Sequence, residues 1–223
     1  MHFSYSTAVV FGFSILISGI IGILRFNQIR DTYRPFIYLI WIGCFNEMLS
    51  LYLALNHHYT IVNSIIYSLC ESILLLWFFK KLGLFKRKHS FNLLAVLFVT
   101  IWLIEVLSRK RFGTSFTYYF NVIYYFSIVL LSIRAINDLL FTERELLKNP
   151  TFLICIGLII FFTYGIVHRM FWLAGLKNSP IFLMNVQSIL IIINFLTNLI
   201  YALAVLWMRK RQAFTLQFWL FPE

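Results

Sequence analysis

Long apolar runs alternate with short polar segments along the whole chain. Seven of the runs approach or exceed the ~20 mainly apolar residues that a membrane-spanning helix needs. They are 5–24, 35–55, 61–79, 91–107, 116–133, 151–173 and 181–208. The pattern predicts an all-α fold, with 1–223 forming a single integral-membrane domain that is a seven-helix transmembrane bundle.

Breaks within these helices are not expected from the sequence. The four prolines lie at 35, 150, 180 and 222, outside the interiors of the predicted helices, and the chain has only nine glycines. Proline and glycine are common causes of helix kinks. We therefore predict seven continuous helices.

The composition supports a membrane protein. Hydrophobic residues make up 61% of the 223 residues and charged residues only 12%, whereas a soluble domain has about 25% charged residues. The mean hydropathy is +0.84. So few charges cannot cover a water-facing surface, and the lipid bilayer is therefore the first expected partner. The expected location is a cell membrane, plasma or bacterial inner, which the chain crosses several times.

The formal net charge of +11 first suggests a nucleic-acid partner, but the positions of the cations argue against one. Fourteen of the 19 lysines and arginines fall on one side of the predicted bundle. They are Arg25, Arg30, Arg34, Lys80, Lys81, Lys86, Arg87, Lys88, Arg134, Arg144, Lys148, Arg209, Lys210 and Arg211. Such an excess marks the cytoplasmic side. We predict an external N-terminus, a cytoplasmic C-terminus and no nucleic-acid partner.

The loop at 134–149, between the fifth and sixth helices, is the longest and mixes leucines with charged residues. We expect it to extend the fifth helix and to end before Pro150, because the residue before a proline disfavours helical geometry. One interpretation is a solvated helical extension. The other is a docking surface for a cytosolic or membrane partner protein, through which any signal would have to leave the bundle.

Three of the eight acidic residues lie within apolar runs, at Glu47, Glu71 and Glu105. A charged group near the bilayer centre costs at least a few kcal/mol, so such residues usually face the bundle interior. Glu47 and Glu71 fall near the middle of their helices. Glu105 lies nearer the outside, where an ion pair with Arg109 would explain it.

Other polar residues recur at helical spacing, which places them on common helix faces. Amides and carboxylates would be unsatisfied in lipid, so these faces should point inward. We predict one outward-facing intramembrane pocket. Its predicted lining residues are Glu47, Asn63, Tyr67, Glu71, Asn121, Tyr164, His168, Arg169, Gln187 and Asn194.

Glu47 and Glu71 are the centre of this predicted pocket. Helices two and three are joined by a short loop, so they should be antiparallel neighbours. Both carboxylates should then enter one cavity that also meets Tyr164 and His168. Two close carboxylates do not readily ionise together, so one of them should hold a proton. For Arg169 two placements stay open, pairing with a carboxylate or reaching the outer headgroups.

Four kinds of function fit these features. The first is a sensor-like module that binds a ligand or a partner. A proton-coupled small-molecule transporter is the main alternative, because transporters bind their substrates near the midplane. An intramembrane acid–base enzyme and a structural subunit of a larger complex are the others. The expected ligand is an unknown small molecule or a proton.

No cofactor or metal is expected from the sequence. His168 is the only histidine within a predicted helix, and zinc needs about three well-placed protein ligands. The three cysteines lie in apolar runs, as packing residues do. A retinal protein would carry a lysine in its last helix, and the segment 180–208 has none.

Overall fold

The computed structural model describes residues 5–57, 60–85, 87–108, 118–141, 145–173 and 180–208. Its α-helices are α1 (Tyr5–Gly12), α2 (Ile15–Arg25), α3 (Arg34–Leu55), α4 (Ile61–Lys81), α5 (Lys88–Leu107), α6 (Tyr118–Leu140), α7 (Pro150–Leu173) and α8 (Pro180–Trp207). Short 3-10 turns lie at Phe26–Gln28 and Leu146–Lys148. Within the described residues, seven helical segments are long and apolar enough to cross a membrane, the first combining α1 and α2. The predicted all-helical, seven-span architecture is confirmed.

The first span is broken, so the prediction of seven continuous helices is wrong there. At the break between α1 and α2, Ser14 N–H donates to the Phe11 carbonyl at 3.2 Å, and Leu16 N–H donates to the Phe13 carbonyl at 3.0 Å. These bonds reach back three residues instead of four. The Ser14 hydroxyl also donates to the Phe11 carbonyl at 2.6 Å. A serine bonded to its own helix in this way favours a bend.

Contacts between the helices fix their relative directions. Tyr38 near the start of α3 stacks on Trp77 near the end of α4, so these two helices are antiparallel. The first span and α8 run parallel, since Phe11 stacks on Phe195 and Arg25 bonds the carbonyl of Val205. Gly12 of α1 lies beside Glu47 of α3, and Tyr164 of α7 bonds Val186 of α8. One half of the bundle therefore holds the beginning of α1 and the ends of α3 and α7. We call it the N-side half.

The opposite half is closed by buried aromatic side chains. Phe36, Phe78 and Phe79 are fully buried. The ring of Phe36 packs edge-on against Tyr201, with ring centres 5.0 Å apart. The guanidinium of Arg25 donates to the carbonyls of Val205, Leu206 and Met208 at the end of α8, where a helix leaves carbonyls unsatisfied. This end of the bundle is tightly packed.

Large apolar side chains lie exposed around the outside of the bundle. Leu24, Leu93 and Phe126 are more than half exposed, and Ile66 on α4 and Ile189 on α8 are exposed too. A soluble protein rarely leaves so much apolar surface uncovered, whereas lipid chains cover it in a membrane. These positions identify the lipid-facing side of each helix.

The predicted extension of the fifth span is present, because α6 continues to Leu140. Leu140 and Leu147 are exposed, and Lys148 pairs with Glu145 at 3.0 Å. Both a solvated extension and a docking surface are compatible with this geometry, so the partner at 134–149 stays a prediction. Residues 142–144 of this loop lie outside the described residues.

Several cations used to predict the orientation also lie outside the described residues. They are those at 86, 109–111, 144, 177 and 209–211. The side of the membrane on which each end lies therefore stays a prediction.

Candidate functional site

A cavity of about 290 Å³ lies inside the N-side half of the bundle. We call it the main cavity. All the spans except α5 contribute to its described lining. Ser64 in the first turn of α4, Asn121 in the first turn of α6 and Arg169 in the last turns of α7 all line it. Its volume is about that of ten water molecules, so it suits a small ligand.

Seven of the ten predicted pocket residues line this cavity. They are Glu47, Tyr67, Glu71, Asn121, Arg169, Gln187 and Asn194. Their convergence shows that the polar faces of five helices meet in one space.

The other three predicted residues lie outside the cavity lining. The amide nitrogen of Asn63 donates to the side-chain oxygens of Asn46 and Ser50, each at 2.9 Å, between α3 and α4. The hydroxyl of Tyr164 donates to the Val186 carbonyl at 2.9 Å. His168 is buried and lies within hydrogen-bonding reach of the Gln187 side chain. Asn63 and Tyr164 link helices, and none of the three residues lines the main cavity.

The carboxylate of Glu71 is held by two tyrosines from different helices. Tyr67, one turn earlier on α4, donates its hydroxyl to Oε1 at 3.2 Å. Tyr124 on α6, fully buried, donates its hydroxyl to Oε2. Arg169 on α7 lies near enough for its positive charge to attract this carboxylate. Glu71 is thus a fixed, buried acceptor at the wall of the cavity.

Arg169 faces the interior of the bundle. It lines the main cavity, and its guanidinium lies over the ring of Tyr118, 5.8 Å from the ring centre. Of the two placements that the sequence left open, the structure has the inward one.

Glu47 lies where the main cavity meets a second space. This outer crevice, of about 350 Å³, is lined by Glu47, Ser64, Ala54 and Thr60 among others. Ala54 and Thr60 flank the α3–α4 loop, so the crevice leads toward the N-side surface. A Cβ on Gly12, at the end of α1, would lie only 3.0 Å from Glu47 Oε2. The absence of a side chain there leaves room for the carboxylate.

A third, smaller space lies deeper, toward the aromatic end of the bundle. This inner cavity, of about 60 Å³, shares Tyr67, Glu71, Asn194 and Asn198 with the main cavity. Its remaining lining is mostly apolar, from residues such as Leu39, Leu75 and Leu158. The three spaces form a series, with Glu47 at the first junction and Glu71 at the second.

Two buried polar atoms in these spaces have no partner among the described residues. Oδ1 belongs to Asn121, which lines the main cavity, and Oγ1 belongs to Thr197, which lines the inner cavity. Buried polar atoms are nearly always satisfied, so each exception needs an explanation. A rotation of the side chain would bring either atom to the adjacent cavity, where a ligand or water would satisfy it.

Sequence reasoning missed two contacts made by residues of the cavity wall. The spacing of Tyr124 from Asn121 places the two on one helix face, but it does not reveal the bond from Tyr124 to Glu71 on α4. Asn198 donates to the Ser14 hydroxyl at 2.9 Å, and so joins α8 to the break in the first span. No periodicity within one helix could reveal this pair, because Ser14 belongs to an apolar run.

Glu105 has a structural role that the sequence did not predict. Its carboxylate accepts the backbone N–H of Phe120 at 2.8 Å and that of Tyr119 at 3.4 Å, at the start of α6. It caps that helix, where free N–H groups favour an anion. The predicted partner Arg109 lies outside the described residues, so that ion pair stays a prediction.

Among the described residues, no three His, Cys, Asp or Glu side chains come together as a metal site would require. Comparison of the chain with known protein families, curated proteins and solved structures finds no match. The arguments for function therefore come from the cavities and their residues.

Proposed function

We propose that this protein is a sensor-like membrane module that binds a small polar ligand in the main cavity. The observation that carries this proposal is the cavity itself, a space of about 290 Å³ walled by charged and amide side chains inside an apolar bundle. Side chains of this kind are costly in a membrane interior and usually mark a site for ions or ligands.

The outer crevice supports entry from the N-side half. It shares Glu47 and Ser64 with the main cavity, so a ligand moving inward along it meets the charged wall first. The aromatic packing around Phe36 and Tyr201 opposes passage through the other end. A module that is open on one side and closed on the other is suited to sensing.

Thermal unfolding of the purified protein tests this proposal. The midpoint is measured in detergent against a panel of small cations, anions, zwitterions and neutral polar molecules. We expect at least one class to raise the midpoint saturably, because a ligand that binds only the folded state stabilises it. The variant Asn194→Phe, which fills the cavity, should lose this shift. The control Ile189→Phe, on the lipid side of the same helix, should keep it.

Two results would contradict the proposal. One is a panel in which no class gives a saturable shift. The other is a shift that persists undiminished in Asn194→Phe, since the compound would then bind elsewhere.

A proton-coupled carrier is the second candidate, and the break in the first span favours it. Carriers build their sites at discontinuous helices, and this break lies beside Gly12 and Ile15 of the cavity wall. The inner cavity continues the series of spaces toward the closed end. Uptake into proteoliposomes of the compound that stabilises the protein distinguishes the two. Saturable, pH-dependent uptake indicates a carrier, and binding without uptake indicates a sensor.

A further inference from the structure

We propose that the main cavity takes a small organic cation, a primary ammonium that carries a compact apolar group. This proposal rests on the proposed function and adds the chemical class of its ligand. It is carried by the charges, the open acceptors and the aromatic rings of the described cavity wall.

The charges on the wall are unbalanced. Among the described lining residues, Glu47 and Glu71 are the acids and Arg169 is the only cation. Arg169 is attracted to Glu71, whereas Glu47 has no ion pair or hydrogen bond within the described part of the chain. A carboxylate at membrane depth is stabilised by a cationic partner. A ligand with one positive charge supplies it.

The wall also offers acceptors that still need donors. Asn121 lines the main cavity, and its buried Oδ1 has no hydrogen-bond partner among the described residues. The carboxylate of Glu47 offers further lone pairs. A primary ammonium has three N–H donors and no acceptor, so it matches this surface better than an alcohol or a carboxylate does.

Aromatic and aliphatic side chains complete the wall. Tyr67, Tyr124, Tyr125 and Phe161 line the cavity beside the acidic groups, and ring faces attract organic cations. Ile191 provides apolar surface on α8. The volume of about 290 Å³ is at the small end of ligand pockets, which indicates a compact substituent.

The way into the cavity favours the same class of ligand. The carboxylate of Glu47 lines both the outer crevice and the main cavity. A single sign of charge at a low-dielectric entrance concentrates ligands of the opposite sign. An anion would meet this carboxylate before it reached Arg169.

Four probes with one shared tert-butyl group test the charge requirement. They are tert-butylammonium, tert-butanol, pivalate and the zwitterion tert-leucine, each titrated into the purified full chain by calorimetry at constant ionic strength. NaCl alone serves as the inorganic cation. We expect tert-butylammonium to bind at least about tenfold more tightly than the other four, because a charge-assisted contact contributes about that factor.

Three variants test the residues. Glu47→Gln and Glu71→Gln should each weaken tert-butylammonium binding by about tenfold or more, since an amide keeps the size and removes the charge. Glu105→Gln should leave it unchanged, because Glu105 caps α6 and is absent from the cavity lining. Should Glu71→Gln fail to fold, the result for Glu47→Gln decides.

The outcomes separate this inference from the proposed function. If pivalate, tert-butanol, tert-leucine or Na⁺ binds as tightly as tert-butylammonium, the charge class is wrong and ligand binding stands. Unchanged ammonium binding in Glu47→Gln also overturns the inference. If tert-butylammonium fails to bind while another class from the thermal panel does, only the inference falls. If nothing binds in either experiment, both proposals fall.

Discussion

At the scale of single residues, the central feature is a buried carboxylate with one hydrogen-bond donor on its own helix and one on another helix. Glu71 accepts hydrogen bonds from the hydroxyls of Tyr67 on its own helix and Tyr124 on α6. Glu47 lacks such donors among the described residues and instead borders the junction between two cavities. The two acids therefore have different roles, with Glu71 fixed in the structure and Glu47 available to a ligand.

This difference predicts unequal costs when the two acids are replaced by leucine. Glu71→Leu leaves the buried Tyr124 hydroxyl without its acceptor, and an unsatisfied buried group costs about 1–3 kcal/mol. Glu47→Leu leaves no described side chain without a hydrogen-bond partner, so the free energy of unfolding of the protein should fall by less in this variant. Unfolding in mixed detergent micelles measures both values. An equal or larger loss for Glu47→Leu would show that the assignment is reversed.

Seven of the ten pocket residues predicted from the sequence line the main cavity, because polar spacing identifies the inward face of each helix. The sequence could not predict which neighbour each side chain reaches. Asn63 shares a face with Tyr67 and Glu71, yet its amide donates hydrogen bonds to Asn46 and Ser50 across the α3–α4 contact. The hydroxyl of Tyr164 likewise donates a hydrogen bond to the Val186 carbonyl. Such partners depend on how helices pack against each other.

At the scale of elements, the first span shows how a helix breaks without proline. Ser14 bonds the Phe11 carbonyl of its own helix and accepts a bond from Asn198 of α8. The second bond comes from a residue 184 positions away, so the sequence of the run alone suggested a continuous helix. The break leaves Gly12 beside Glu47 and thereby shapes the cavity wall.

The packing of α7 on α8 gives a prediction at this scale. A Cβ on Gly157 would lie 2.7 Å from Tyr201 Cε1, and the Tyr201 ring is backed by Phe36. Gly157→Ala should therefore destabilise the protein by about 1–3 kcal/mol, the usual effect of overpacking. The control Ile160→Ala, on the lipid side of the same helix, should cost less. A stability loss for Gly157→Ala no larger than the control's would contradict this packing.

At the scale of the whole molecule, the bundle is asymmetric. Its N-side half holds the polar cavities, and its other half holds the buried aromatic rings and the contact of Arg25 with the end of α8. The seven spans were predictable because the length and apolarity of each run decide whether it crosses a bilayer. The sequence predicted this asymmetry only in part. The depth of Glu47 and Glu71 could be inferred from their positions in the runs, whereas the aromatic packing at the other end could not.

The central claim is that the polar residues line a water-filled space open to one side of the membrane. Cysteine labelling tests it most directly, with Ser64→Cys on the cavity side of α4 and Ile66→Cys on its lipid side, both in a Cys70→Ala background. Cys44 and Cys155 are buried and can remain. The reagent is a charged, membrane-impermeant methanethiosulfonate, added to intact and to permeabilised cells.

We expect Ser64→Cys to react in intact cells and Ile66→Cys to stay unreacted in both preparations, because thiolates form in water and not against lipid. Reaction of Ser64→Cys only after permeabilisation would keep the cavity and reverse the predicted orientation. No reaction at Ser64→Cys in either preparation, or equal reaction at the two positions, would contradict the claim that this bundle encloses an accessible polar cavity.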